Sequence, residues 1–135
     1  ILMIIGGGPA GLSAAGQPEK TGTESILILE GDDKLGGILN QCIHNGFGLH
    51  TFQEELTGPE YAGRFIAQTE KLRIEYKLHT MVMDISEGKL ITAMNRNEGM
   101  LDSGKSCEFL PWDAGSVEAL NIPGYRPAGI FSAGN

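Results

Sequence analysis

The chain has 135 residues, of which 17 are acidic and 10 are basic, giving a formal net charge of −7. This length suits a single domain, and the acidic balance without a basic stripe argues against nucleic acid or an anionic membrane as a partner. No apolar run is long enough to span a bilayer. The two cysteines, Cys42 and Cys107, are far apart and form no C-x-x-C pair, so we expect a reducing, cytoplasmic setting.

The first fifteen residues predict a strand, a glycine-rich turn and a helix. The apolar run 1–5 is followed by the pattern G-x-G-x-x-G, formed by Gly6, Gly8 and Gly11. The first glycine permits a tight turn, the second lets a backbone approach a pyrophosphate, and the third lets the helix pack closely. Pro9 and Ala10 then open a helix whose free N–H groups would face the phosphates.

A second apolar run, 26–30, predicts a buried parallel strand that ends in an acid. Glu30 lies 19 positions after Gly11, where a carboxylate can accept hydrogen bonds from the hydroxyls of an adenosine ribose. Asp32 and Asp33 follow, and no arginine is near to neutralise a 2′-phosphate. The pattern therefore predicts FAD or NAD, and not NADP.

Between and after these strands the sequence predicts a short helix, a loop and a longer helix. Pro18 and its glycine neighbours predict that the first helix ends early or kinks. Residues 31–37 are expected to form a loop. Thr57 and Glu60 form a capping-box pattern that opens a helix running to Leu72. Its apolar face is predicted at three positions, namely Tyr61, Phe65 and Leu72.

The second half of the chain predicts strands. Alternating apolar residues indicate a strand at 74–78 and an antiparallel pair at 81–85 and 89–94, joined by a turn. Residues 95–118 show no period and are expected to be irregular. A short last strand is predicted at 129–133.

Two other patterns compete with dinucleotide binding. Residues 99–106 match the phosphate-loop pattern G-x-x-x-x-G-K-S, but Asp102 would put a negative charge in the cradle and Pro111 interrupts the helix that should follow Lys105. A polar surface loop is the preferred interpretation. The spacing of Cys42, His44 and His50 matches no common metal site, so no metal is predicted.

Taken together, these segments resemble the flavin half of the FAD-dependent pyridine nucleotide-disulfide oxidoreductase superfamily, most closely its NAD(FAD)-dependent dehydrogenases. The similar segments cover about half of the chain and read IIGGGPAGLSAA, ILILE, KLGGILNQCIHNGFGLHTFQEELTGPEYA and ALNIPGYRPAGIFSAG. The resemblance implies an α/β fold of the Rossmann-type FAD/NAD(P)-binding class, with a parallel sheet and an inserted antiparallel β-meander. Residues 1–135 would then form a partial FAD-binding domain, without the NAD(P)H-binding domain of the family.

The resemblance also implies roles for individual residues. The FAD pyrophosphate would be held by Gly6, Gly8, Pro9, Ala10 and Gly11. Glu30 would bind the adenosine ribose, and the glycine pair Gly36 and Gly37 would run beside the pyrophosphate. Val82 would bring a backbone amide to the adenine, and Gly134 would meet the ribityl chain, although Asn135 replaces the usual aspartate. Cys42 and His44 are the nearest candidates for flavin neighbours, with a structural role preferred for each.

These observations support three functional hypotheses. The preferred one is the FAD-binding portion of a flavin-dependent oxidoreductase that passes hydride or electrons from NAD(P)H to an unknown acceptor. No second G-x-G-x-x-G occurs in the chain, so NAD(P)H is expected to bind another domain or a partner subunit. The alternatives are a noncatalytic or degenerate dinucleotide-binding module and, less favoured, a phosphate-loop nucleotide-binding protein.

Overall fold

A computed structural model describes residues 2–17, 25–88 and 90–104, with side chains described as far as Leu101. The predicted strand at 129–133 lies outside these residues. In chain order the described elements are β1 (Leu2–Ile5), α1 (Pro9–Ala15), β2 (Ile26–Leu29), a 3₁₀ turn (Gly37–Gln41), β3 (Asn45–Phe47), β4 (Leu56–Thr57), α2 (Gly58–Lys71), β5 (Glu75–Lys77), β6 (Thr80–Ile85), β7 (Leu90–Asn95) and β8 (Gly99–Gly104).

A parallel sheet of order β1-β2-β5 forms the centre of the fold. Side chains along β1 and β2 alternate between its two faces, as strand geometry requires. One face carries Leu2, Ile4, Ile26 and Ile28 and packs against the helices in a core that includes Leu12, Ala15, Leu35 and Phe65. The sheet is thus covered by helices on this side.

The opposite face of the parallel sheet packs against the antiparallel sheet β6-β7-β8. Here Met3 and Leu29 meet Ile91 and Ala93, and all four are buried. Because β2 is covered on both faces, its sequence is continuously apolar, as the run 26–30 predicted. The fold has three layers: helices, parallel sheet and antiparallel meander.

Local hydrogen bonds set the end of α1 and the start of α2. α1 stops at Ala15, and the following Gly16 donates its N–H to the carbonyl of Leu12 at 3.0 Å, so the predicted early end is confirmed. The capping box of α2 is also confirmed, since a Glu60 carboxylate oxygen accepts from the N–H (2.8 Å) and the hydroxyl (2.7 Å) of Thr57. No described helix is long and apolar enough to cross a membrane.

The predicted apolar face of α2 is wrong at its C-terminal end. Phe65 is buried and Tyr61 half-buried, but Leu72 is the C-cap and remains 45% exposed. Thr69 is fully buried instead and satisfies its hydroxyl by donating to the carbonyl of Ile66 at 2.7 Å. A threonine can be buried in a helix because this local hydrogen bond offsets the desolvation of its hydroxyl.

The prediction of irregular structure after Asn95 is wrong for residues 99–104, which form β8. This strand pairs with β7 from Asn95↔Gly99 to Leu90↔Gly104. Its glycines and its aspartate have low strand propensity, and the turn before it aligns the strand with β7. The Asn95 side-chain oxygen accepts from the N–H groups of Asn97 (2.8 Å) and Glu98 (3.0 Å), and Gly99 takes a φ of +80°.

Replacing Gly11 by alanine should destabilise the chain, because a Cβ there would overlap the carbonyl oxygen of Gly6 and lie 3.1 Å from Cγ2 of Ile4. We expect a loss of about 1–3 kcal/mol in the free energy of unfolding, measured in urea. The matched control is Gly63→Ala in α2, where a Cβ would meet no atom within 4 Å apart from the backbone of its own helix. That change should stabilise the helix by about 0.5–1 kcal/mol, and equal effects at the two sites would contradict the packing argument.

Because of the capping box, the free energy of unfolding should depend on pH through the Glu60 carboxyl group. Hydrogen bonds from Thr57 lower the pKa of Glu60 from its ordinary value of 4.5. The carboxylate therefore contributes stability above about pH 4.5, and this contribution is lost as the pH falls through the lower pKa of the folded state. Urea unfolding should show Glu60→Gln less stable than the native chain near neutral pH, with the difference shrinking in acid. A difference that does not change with pH would contradict this.

Candidate functional site

The turn between β1 and α1 is built from three consecutive glycines. Gly6 has a φ of +99°, which favours glycine, and its N–H donates to the carbonyl of Leu29 on β2 at 2.8 Å. Gly8 is the extended N-cap of α1, and its carbonyl accepts from the N–H of Leu12 at 2.9 Å. Gly11 lies so close to Gly6 that no Cβ fits between them. The turn therefore needs glycine at both ends.

Gly7, which the motif treats as a free position, is the residue that joins the parts of this site. Its N–H donates to Oε2 of Glu30 at 2.6 Å, and its carbonyl accepts from the N–H of Gly36 at 2.8 Å. A Cβ on Gly7 would overlap the side chain of Leu35 and lie 3.1 Å from the same carboxylate oxygen. Sequence reasoning missed this residue. The signal was a third glycine in a row, at a position where the motif allows any residue.

Glu30 follows β2 and its carboxylate lies against the glycine turn. Oε1 accepts from the N–H of Asp32 at 2.9 Å, while Oε2 accepts from Gly7. The Glu30 backbone is also held, because its N–H donates to the carbonyl of Lys77 and its carbonyl accepts from Thr80. Each carboxylate oxygen can accept more than one hydrogen bond, so acceptor capacity for a ligand remains.

The second glycine pair lies beside the first turn. Gly36 and Gly37 have φ values of +111° and +51°, and a Cβ on Gly37 would lie 3.1 Å from the Cα of Gly8. Asn40 supports the bend by donating from Nδ2 to the carbonyl of Leu35 at 2.9 Å. The structure thus brings together the two glycine segments and Glu30, which are far apart in the sequence.

Cys42 and His44 lie on the next segment, between the 3₁₀ turn and α2. The carbonyl of Cys42 accepts from the N–H of Gly58 at 2.8 Å, and a Cβ on Gly58 would lie 2.7 Å from the Cβ of Cys42. His44 is exposed, and its ring stacks at a tilt on Phe47 with centroids 5.3 Å apart. These contacts give both residues structural roles, and their contact with a flavin remains a prediction.

Three further predicted positions have different outcomes. Val82 is half-buried on β6, opposite Ala93 and beside a bulge, and packs against the buried cluster between the sheets. Gly134 lies outside the described residues. Residues 99–104 of the phosphate-loop pattern are paired as strand β8, whereas that motif requires a loop leading into a helix.

Within the described part of the chain, no group of histidine, cysteine and acidic residues could hold a metal.

No family model and no curated protein matches the sequence. Solved structures do match the fold. Thioredoxin reductase from Streptococcus pyogenes superposes with a TM-score of 0.62 at 24% identity, covering 80% of this chain and 33% of that one. L-Proline dehydrogenase from P. horikoshii gives 0.63 at 20% identity, covering 82% and 22%. The atypical thioredoxin reductase TRi from Desulfovibrio vulgaris Hildenborough gives 0.61 at 20% identity, covering 85% and 36%.

These likenesses confirm the predicted fold. The parallel sheet, the antiparallel strands and the flanking helices match the α/β Rossmann-like FAD-binding fold of these structures. The chain spans about a third or less of the length of the first structures it matches. This chain therefore has the Rossmann-like α/β fold that part of the thioredoxin reductases and part of L-proline dehydrogenase adopt.

Removing the Glu30 carboxylate should loosen the site even without a ligand. Glu30→Ala leaves the N–H of Gly7, a buried residue, without its acceptor, so we expect a loss of about 1–2 kcal/mol in the free energy of unfolding. The control is Glu70→Ala, at an exposed position on α2, which should change stability by less than about 0.5 kcal/mol. Urea denaturation followed by circular dichroism measures both, and equal losses would contradict the role given to this hydrogen bond.

Proposed function

We propose that this chain is the FAD-binding part of a flavin-dependent oxidoreductase. Bound FAD would let the intact enzyme carry electrons from NAD(P)H, held by another domain or a partner subunit, to an acceptor of unknown identity. The single observation that carries the proposal is the hydrogen bond from the Gly7 N–H to the Glu30 carboxylate at 2.6 Å, because it aligns the glycine turn with the acid. The fold, shared with reductases and a dehydrogenase, supports the same class.

The residues of the turn fit the diphosphate of a dinucleotide. Gly8 lacks a side chain where Gly37 approaches it, so backbone faces the space beside the N-terminus of α1. The N–H groups of Ala10 and Gly11, in the first helical turn, have no intrahelical acceptor and can donate to phosphate oxygens. This helix is short, so we assign the binding to these donors together with the two glycine segments, and not to a helix dipole alone.

Glu30 fits the adenosine ribose of the same ligand. Its carboxylate is oriented by N–H groups of Gly7 and Asp32, which reduces the ordering that ligand binding must impose. Exposed Asp32 and Asp33 lie next to it and would repel a 2′-phosphate, which favours FAD over NADP at this site. Bound FAD would supply hydride chemistry, while the chain supplies position and electrostatics. Val82 is assigned to the adenine end.

The test is a titration of the purified chain with FAD, followed by flavin fluorescence and by visible absorption. We expect saturable binding of one equivalent and a yellow protein. Glu30→Gln keeps an acceptor for Gly7 but loses the negative charge, so FAD should bind about 10-fold or more weakly. Glu70→Gln changes the net charge equally and should leave binding unchanged. Absence of FAD binding, or equal affinity in the Glu30 and Glu70 variants, would overturn the proposal.

The noncatalytic module and the oxidoreductase differ in one measurement. Both hypotheses predict FAD binding, but only the oxidoreductase predicts that NADH or NADPH bleaches the flavin absorption once the domain or subunit that binds the nicotinamide is present. Flavin that binds tightly and is reduced by dithionite, yet never by a nicotinamide, would favour the noncatalytic module.

A further inference from the structure

The outer face of the antiparallel meander carries a row of methionines that the proposed function does not use. Inner positions such as Ile91 and Ala93 pack toward the parallel sheet and are buried. On the opposite face Met81, Met94 and Met100 are 63%, 41% and 61% exposed. Methionine is usually a buried residue type, so three exposed side chains in one row across the sheet need an explanation.

The strand register places these three side chains next to one another. Met81 on β6 lies opposite Met94 on β7, and Met94 lies opposite Met100 on β8. Directly opposed residues of antiparallel strands have Cβ atoms about 4.5–5.5 Å apart. A methionine side chain has three rotatable bonds, so the outer two sulfurs can move toward the central one. Three thioethers can therefore converge above β7.

The chemistry of this row selects one class of ligand. Thioether sulfur is a soft, neutral donor that favours Cu(I) over hard cations. The exposed Asp84 pairs with Thr92, two positions from Met94 along β7, and so places a carboxylate near the row. We propose that Met81, Met94 and Met100 form a surface site for one soft monovalent cation, Cu(I) or Ag(I), held by three thioether sulfurs. The proposal does not depend on FAD binding.

The test uses the full chain labelled with ¹³C at its methionine methyl groups, with the thiols blocked by N-ethylmaleimide. Silver nitrate is added in chloride-free buffer, because Ag(I) is stable in air. We expect the methyl signals of Met81, Met94 and Met100 to shift together and saturate at one equivalent. Met3, which is 2% exposed in the core, should not shift. Zinc ions, which are less soft, should have no effect.

Two variants separate a site from ordinary surface methionines. Met94→Leu preserves an apolar side chain but removes the central sulfur, so Ag(I) affinity should fall at least 10-fold. The matched control is Met83→Leu, since Met83 is 60% exposed on β6 but outside the row, and binding should be unchanged. Methyl signals that titrate independently of one another, or equal effects of the two variants, would overturn the proposal. The amide spectrum of each variant verifies that it remains folded.

Discussion

The structure depends on the contact between the β1–α1 turn and the end of β2. A charge-assisted hydrogen bond joins the Gly7 N–H to the Glu30 carboxylate. The same glycine accepts from Gly36, so the turn, the strand end and the following loop meet at one residue. This meeting point has no room for a side chain, because the Leu35 side chain occupies the space that a Cβ on Gly7 would need. The site is therefore defined by close approach of backbone at Gly7 together with the Glu30 carboxylate.

The layers on either side of the parallel sheet keep this contact in place. Alternate residues of β1 and β2 enter two separate buried clusters, one shared with the helices and one shared with the meander. Burial of large aliphatic side chains such as Ile4 and Ile28 contributes about 1.5–3 kcal/mol each. If either strand shifted by one residue, every side chain would move to the other face of the sheet. The residues of the two clusters would then be exchanged, and each cluster would have to repack.

The buried Asn95 side chain connects the meander to the chain that enters it from the parallel sheet. The Asn95 amide donates to the carbonyl of Leu78 at 3.0 Å and to the hydroxyl of Thr80 at 2.7 Å, and its oxygen accepts from the turn that leads to β8. A buried amide is costly unless its hydrogen bonds are made, and here both ends are used. This residue therefore links the junction of β5 and β6 to the β7–β8 turn.

The sequence alone determined the elements that depend on neighbouring residues. The glycine turn, the buried strand β2, the early end of α1 and the capping box at Thr57 follow from local sterics and hydrogen bonding, so they could be predicted. The roles implied for Gly36 and Gly37 came from resemblance, because no local rule relates a distant glycine pair to the first turn.

Tertiary structure decided the rest. Only the folded chain shows that Gly7 joins Glu30 and Gly36, since that contact spans 23 residues to one partner. Only the folded chain forms β8, because residues of low strand propensity pair once the Asn95 turn aligns them with β7. The methionine row likewise depends on the strand register, which places one methionine from each of three strands side by side on one face. Sequence pattern specifies local geometry, whereas contacts between distant segments arise when apolar burial brings those segments together.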